Sequence, residues 1–396
     1  MAPPPSPNDA PIPTYRIDLS LPPAERYVQL ATDLALEMKA MTSLFDEVLQ
    51  MVIPWLWVRK LVEWFASIFL RRVHSVEETK ELKGIAEASG VDLYFLVALN
   101  VLLDSLLGCT SGGVMTSLGS KGGGNKGMVH FRTLDWGMDP LRSILVVLEF
   151  VRSEGPNPEM IVGRSISYAG FVGILTGVRK DLSVSLNFRP THACSTLSLR
   201  KHQLFVLLGF RPSICSIIRS MIIPSGVEQV ENDCSLEGYI LALPKHRFPP
   251  CYLVLSDGIS TAVIERDLEE ANVQIEREFV VVTNNDARHE YLPTTKGKKQ
   301  KASFGLDMDE WIQESAERKA CVLNKWYGVK KRLRQKLINQ GAKVDDLSQD
   351  GWASVKLDTL KNWLRAYPVN NECTHFMCIM DAQKGKIVFL ERGTGT

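Results

Sequence analysis

The residue with the most chemical promise is Cys109, which is followed by Thr110-Ser111 at the point where the chain changes character. A thiol attacks only as a thiolate, and from a reference pKa near 8.5 it needs a base within reach. Taken alone, one Cys at the start of a strand is a packing residue, because free Cys is among the most buried residue types. It has company downstream in Arg132 and Asp135, in Asn284 and in Arg318. An isolated Arg-x-x-Asp pair on a surface is worth at most about 1 kcal/mol. Asn284 follows a strand expected over 279–283, where a side-chain amide can serve either as a turn residue or as a donor to an oxyanion. Losing such a donor typically lowers a rate by about 10²–10³. Arg318 falls on the apolar face of an expected helix, in line with Trp311 and Val322, and a buried guanidinium there needs a carboxylate such as Asp135.

Two kinds of element must position these residues. Up to Gly108 the pattern is almost entirely helical. Tyr15, Ile17, Leu19 and Leu21 alternate with polar residues as one strand, which Pro22-Pro23 stops before a helix carrying Tyr27, Leu30, Leu34 and Met38. Ser75-x-x-Glu78 is a capping box for a helix that Gly90 closes, and Asp92 opens another that reaches Leu107. From Cys109 onward strands are expected over 109–115, 128–134, 144–151, 160–168, 182–187, 252–255, 261–265, 279–283, 374–380 and 387–390. Helices interrupt them over 200–222 and 308–337, the second opened by Asp307-x-x-Glu310. Many strands with a few helices imply an α+β fold of two stacked sheets covered by helices. Arg132 and Asp135 lie three apart in a strand, so a turn after Thr133 is expected if both are to face Cys109. The run Gly122, Gly124, Gly127 spells GxGxxG, but a strand follows it where a dinucleotide site needs a helix, so a hairpin turn is the reading.

Composition limits the remaining options. A chain of 396 residues with 45% hydrophobic and 23% charged residues can bury a real core. Its formal net charge of +1 argues against a whole-chain role on nucleic acid. The 8 cysteines form no CxxC pair or zinc spacing, so neither a structural metal nor a cofactor is expected. Residues 1–14 read as a Pro-rich disordered tail without the apolar stretch of a signal peptide, so the chain is expected to begin in the cytosol.

The most apolar segment, 51–70, carries Arg59, Lys60 and Glu63 in its middle. Each such charge costs roughly 2.5 to 3.5 kcal/mol at a bilayer centre, which disfavours a spanning helix. With Trp55, Trp57 and Trp64 it is either a core helix under another layer or an interfacial helix whose flanking Arg71-Arg72 meets lipid phosphate. The basic groups Lys296, Lys298, Lys299, Lys301 and Lys330, Lys331, Arg332, Arg334, Lys336 are read as solvated faces, with an anionic membrane as the alternative.

In order, Cys109-Thr-Ser, His130-Phe-Arg132-Thr-Leu-Asp135-Trp-Gly137, the run from Ser167 to Gly177, Leu182-Ser-Val-Ser-Leu-Asn187 and Val282-Thr-Asn284-Asn-Asp286 form a series. The series resembles the motifs of the acid ceramidase and N-acylethanolamine-hydrolysing acid amidase family of N-terminal-nucleophile hydrolases. The likeness extends upstream to the segment from Tyr15 to Pro23 with Arg26, and to Leu82-Lys-Gly-Ile-Ala86 with Asn100. It implies an αββα sandwich of two antiparallel sheets and self-cleavage between Gly108 and Cys109. A helical subunit, 15–108, and a catalytic subunit, 109–396, would then remain together as a heterodimer. The freed α-amine, with a reference pKa of about 7.7 to 8.0, would take the proton of the thiol on its own residue. By the same resemblance Asp135 orients that amine and Arg132 favours thiolate, with Asn284 and Arg318 completing the site.

The resemblance also implies a lipid amide substrate, ceramide in the first place and an N-acylethanolamine as its rival, and a lysosomal setting for relatives. The peripheral partner would be a membrane surface. Acyl transfer to an amine is a further possibility, and a lipid-binding protein that is never cleaved is the alternative of another class. Two departures stand out. Phe188 follows Asn187 where the family's ceramidases have a Glu, and Gly108 stands where a larger residue is usual. The Gly-rich hairpin also lengthens the interval from Cys109 to Arg132, at only about 0.6 kcal/mol per doubling of a loop.

Overall fold

A computed structural model describes residues 11–42, 55–102, 108–117, 126–191, 193–224, 234–286, 308–340 and 353–393. Most of the tail, the Gly-rich run up to residue 125, the lysines at 296–301 and the Asp307 cap lie outside these residues.

The strands from Cys109 onward appear where β-branched and aromatic residues alternate. They are β2 (Gly108–Ser117), β3 (Lys126–Asp135), β4 (Leu145–Val151), β5 (Gly163–Tyr168), β6 (Thr176–Arg179), β7 (Leu182–Phe188), β8 (Cys251–Ser256), β9 (Thr261–Arg266), β10 (Ala271–Glu276), β11 (Phe279–Val282), β12 (Val355–Lys356), β13 (Thr374–Asp381) and β14 (Lys386–Arg392). Together with β1 (Thr14–Asp18) they build two sheets. The large one runs β1-β4-β5-β6-β7-β8-β9-β10, and the small one β11-β2-β3-β13-β14 with β12 beside β2. Pairing is antiparallel except for β1 with β4 and β12 with β2, which are parallel. The sequence pattern missed β6, β10 and β12: the first and last are short, and the face of β10 is too exposed to alternate clearly.

The sheets stack face to face, β2 and β3 of the small sheet meeting β7 and β8 of the large one. Period-2 alternation then sorts side chains into two cores. Cys109, Leu134 and Cys378 face the large sheet, while Val114, Val129 and Phe131 face outward. The outward core is covered by the long helix Met308–Asn339 and by Leu357–Leu364, through Val322, Trp326, Leu360 and Trp363. Helices Val28–Asp33 (α1), Ala35–Ala40 (α2), Leu56–Phe69 (α3), Val76–Ser89 (α4), Leu93–Leu102 (α5), Thr196–Leu207 (α6), Ile214–Ile222 (α7) and Leu236–Ala242 (α8) complete the chain, followed by the long helix, α9, and Leu357–Leu364, α10. The layers are thus αββα. Where one helix was expected over 200–222 there are two, because Gly209 takes a left-handed φ of 72° and Pro212 follows shortly.

The expected caps of α4 are present: Ser75 Oγ accepts from Glu78 N–H, and Gly90 closes the helix at φ 70°. The Glu78 carboxylate instead accepts from Ser216 of α7. Next to it Glu81, fully buried, takes both Arg26 and Arg219. Leaving any of these charges without its partner would be strongly destabilising, so the network ties α4 to the start of the chain and to α7.

The α3 helix is not a core helix. Trp55, Trp57 and Trp64 are 63%, 70% and 56% exposed, and Leu56, Phe65, Ile68 and Phe69 are exposed with them. Among the described residues of this segment only Ala66, and Leu70 just past the helix end, are buried. Among the described residues no helix is long and apolar enough to cross a membrane.

Candidate active site

Cys109 sits at the start of β2 with no solvent exposure, opposite Leu134 of β3. Its Sγ accepts from Arg132 Nη2 at 3.2 Å and donates to the Leu186 carbonyl of β7 at 3.8 Å. Arg132, also fully buried, is aimed by a second bond from Nη1 to the Leu175 carbonyl at 2.9 Å. Burial pushes the thiol up to about 11, against the pull of Arg132 and in concert with the Asp135 carboxylate. In the intact chain the sulfur is therefore a neutral thiol held between a guanidinium and a carbonyl.

The turn expected after Thr133 does not form. β3 runs straight through Asp135, which pairs with Gly108, so Arg132 and Asp135 emerge on opposite faces of the small sheet. Arg132 points inward to the sulfur. Asp135 points outward, beneath α9, where its Oδ1 accepts from Thr374 Oγ1 at 2.7 Å and its Oδ2 lies 3.5 Å from Arg318 Nε. That last pair attracts by charge without being aligned as a hydrogen bond. Burial raises the Asp135 carboxyl above the usual range, opposed by Arg318, Thr374 and Arg132. The Gly108–Cys109 bond thus passes between a thiol on one face and a carboxylate on the other.

Asn284 joins them at the end of the sheet. Its Oδ1 accepts from the backbone N–H of Cys109 at 2.7 Å and from Arg318 Nη2 at 3.0 Å, while its Nδ2 donates to the Phe188 carbonyl at 2.8 Å. In the intact chain the amide oxygen faces the nucleophile's nitrogen; the donor role considered from the sequence is not the one seen here. Its backbone is fixed by Ser315 Oγ of α9, which accepts from Asn284 N–H at 2.8 Å. Arg318 is 3% exposed and touches both Asn284 and Asp135.

All four residues singled out around Cys109 therefore converge on it, whereas Trp55, Trp57 and Trp64 lie apart at and along α3. Sequence reasoning missed Thr374, Ser315 and Arg189, the last bonded to Asp286. Arg189-Pro190, directly after a buried strand, was the available signal. Where ceramidases were expected to have a Glu, the ring of Phe188 packs on Trp311 at 5.9 Å between centroids. Gly108 is explained by crowding: a Cβ would stand 3.2 Å from both Asp135 Cβ and Asp135 O. Among the described residues no group of His, Cys, Asp and Glu could hold a metal ion.

Comparison with known proteins finds relatives of one kind. The family described as the beta subunit of N-acylethanolamine-hydrolyzing acid amidase matches residues 10–74, ahead of Cys109. A Caenorhabditis elegans N-acylethanolamine-hydrolyzing acid amidase is 28% identical over 296 residues, 69% of this chain and 74% of the relative. The acid ceramidase of Heterocephalus glaber is 28% identical over 303 residues, 70% of each chain. The chain is thus similar in sequence to both acid ceramidases and N-acylethanolamine-hydrolyzing acid amidases. Among solved structures, the Caenorhabditis elegans N-acylethanolamine-hydrolyzing acid amidase ortholog aligns at a TM-score of 0.47 and 23% identity, over 69% of this chain and 93% of that one.

Proposed function

We propose that this chain is a self-processing amidase of N-acylated lipids whose nucleophile is Cys109. The observation that carries the reading is that the sulfur and the backbone nitrogen of one residue each have a dedicated buried partner, Arg132 for Sγ and Asn284 for N. Ordinary packing of a cysteine puts no guanidinium on its sulfur, and a buried strand N–H is ordinarily met by a backbone carbonyl instead of a side chain.

In the first step the Cys109 thiol gives up its proton, by way of solvent, to the departing nitrogen as the sulfur adds to the Gly108 carbonyl carbon. The C–N bond breaks, the nitrogen takes a proton, and Gly108 is left as a thioester on Sγ. Water then releases the Gly108 carboxylate and frees the thiol. Arg132 favours thiolate in both steps by placing a guanidinium on the sulfur. The new α-amine remains against Asn284 Oδ1, a short way from Asp135, and takes the thiol proton when an amide substrate arrives. Acyl-Cys109 forms as the amine departs, and water returns the free acid.

Ceramide is the proposed substrate. An N-acylethanolamine is the second reading, since the similar proteins include an N-acylethanolamine-hydrolyzing acid amidase as well as acid ceramidases. The exposed aromatic face of α3 supports a peripheral membrane contact through which such substrates would be withdrawn, since Trp favours the headgroup boundary.

The test is denaturing electrophoresis of purified protein, followed by parallel assays with labelled ceramide and labelled N-acylethanolamine. Bands near 12 and about 32 kDa, scaled by length from the 44.3 kDa chain, and their loss in Cys109→Ala, are expected. A single full-length band that nevertheless hydrolyses either lipid would refute the mechanism. A single inert band would favour the lipid-binding alternative.

A further inference from the structure

The strand ends that carry the site are stitched together by three consecutive rungs. Asn187 Nδ2 donates to the Val282 and Thr283 carbonyls at 3.2 and 3.3 Å. Asn284 Nδ2 donates to the Phe188 carbonyl at 2.8 Å. Arg189 then grips Asp286 with both arms of its fork, Nε to Oδ1 at 2.7 Å and Nη2 to Oδ2 at 2.8 Å. The first rung lies on one side of Asn284 and the third on the other, so the amide that meets the Cys109 nitrogen is held between them.

The third rung is strongly built. Arg189 and Asp286 are 6% and 5% exposed. Thr191 Oγ1 donates to Asp286 Oδ2 at 3.0 Å, and the Tyr252 hydroxyl donates to Oδ1. Arg189 also reaches Glu265 Oε1 at 2.7 Å and the Arg266 carbonyl at 3.0 Å. The Arg189 and Tyr252 bonds, set against burial, hold the Asp286 carboxyl below its usual range. Bidentate guanidinium–carboxylate pairs fix geometry in a way a lysine cannot.

Resting on the amidase reading above, we propose that Arg189 and Asp286 are positioning residues: their ion pair sets the register between the ends of β7 and β11, and so the place of Asn284 against the Cys109 nitrogen. Neither touches the nucleophile. Their effect is on reaction geometry, where displacement by about 1 Å can lower a rate by about 10².

The experiment uses the full chain. Arg189→Lys keeps the charge and removes the fork, Asp286→Asn keeps the shape and removes the charge, and the double variant closes a cycle. Self-cleavage is followed by gel, and kcat and KM are measured on whichever labelled lipid the wild type hydrolyses. Each single variant should slow self-cleavage and kcat by about 10- to 100-fold with KM within about twofold, and the double variant should be no worse than the slower single one. Thr191→Val, which removes one bond to Asp286, covers the case in which the charge variants do not fold, and should slow both rates by about two- to fivefold.

Wild-type rates in the folded variants overturn this inference alone. So does a change in KM at constant kcat, which would make the pair part of substrate binding. Variants that lose thermal stability while Thr191→Val keeps wild-type rates make the pair merely structural, and overturn it as well. A wild type that neither cleaves itself nor hydrolyses a lipid removes the amidase reading and the inference with it.

Discussion

The backbone N–H of Cys109 donates to Asn284 Oδ1 at 2.7 Å, so the atom that would become the base of the mature enzyme is already seated before any bond is cut. Cleavage would convert an amide donor into an amine at the same place. The partner needs no rearrangement to go on holding it, and pre-organisation of this kind avoids paying for orientation at the moment of reaction.

Replacing Asn284 by Ala tests that relationship. The side chain is buried among Cys109, Arg318 and Phe188, and its removal leaves the nitrogen and the guanidinium short of an acceptor. Self-cleavage is expected to slow by about 10²–10³, followed as the disappearance of the full-length band with time. A variant that processes within a few-fold of wild type would detach Asn284 from the chemistry.

Gly108 gives a second handle. A Cβ there would stand 3.2 Å from the Asp135 carbonyl oxygen, which is backbone and cannot rotate away. Gly108→Ala must therefore shift β2 against β3 by a few tenths of an ångström, displacing the scissile bond from Asp135. Processing should slow by between about two- and tenfold, with turnover of the material that has been cut unaffected, since residue 108 then lies at the end of the other fragment. An unchanged processing rate would show that the sheet absorbs the methyl elsewhere.

Much of this site was legible as a list of residue types, and little of it as geometry. The strands holding Cys109 and Arg132, and the one that ends just before Asn284, could be read as short β-type runs, and α9 because Arg318 falls in line with Val322. The expected turn after Thr133 was a sound inference from wrong premises. It assumed one active face, whereas the reacting residue offers its sulfur to one side of the sheet and its nitrogen to the sheet's end. Nothing in local sequence reports that arrangement, which depends on the stacking of two sheets and on the register Gly108 with Asp135. Thr374 was hidden for the same reason: it reaches Asp135 across a strand pair whose members are 239 residues apart. The α3 helix was ambiguous because amphipathic spacing says which side is apolar and not what covers it.

Acid should destabilise the intact chain through two imidazoles. His130 is locked between the Ser183 and Ser185 hydroxyls and His375 between the Tyr168 hydroxyl and the Trp136 carbonyl. Burial pushes both down to about 3. The unfolded chain takes up these protons near pH 6.5, so their contribution to stability is complete above that pH and is lost as pH falls toward 3. Each group accounts for about 1.4 kcal/mol per pH unit within this window. Asp135 opposes them only at the acid end: its raised carboxyl favours the folded state fully below its ordinary 3.8, and that gain is lost as pH rises through its folded value. Urea unfolding of Cys109→Ala, which keeps the chain intact, should show a midpoint that falls from pH 7 to pH 4.5. The fall should be shallower in the background of His130→Gln, whose amide can still bond both serines. Equal midpoints at the two pH values would contradict the assignment.

The exposed face of α3 makes the last prediction. Trp57 and Trp64 are 70% and 56% exposed, and Trp64 meets the exposed Phe65, which stacks on Phe69, so their removal disturbs no packed core. Moving a large apolar side chain out of water is worth about 1.5 to 3 kcal/mol, so the double change Trp57→Ser with Trp64→Ser should weaken sedimentation with lipid vesicles by at least about tenfold. Hydrolysis of an amide embedded in vesicles should fall with it, while hydrolysis of a short-chain, water-soluble amide stays at the wild-type rate. Self-cleavage, which involves no membrane, should also be unchanged. If vesicle binding persists in the double variant, the chain meets the bilayer through some other surface, and the basic end of α9 at Lys330, Lys331, Arg332, Arg334 and Lys336 becomes the next to change.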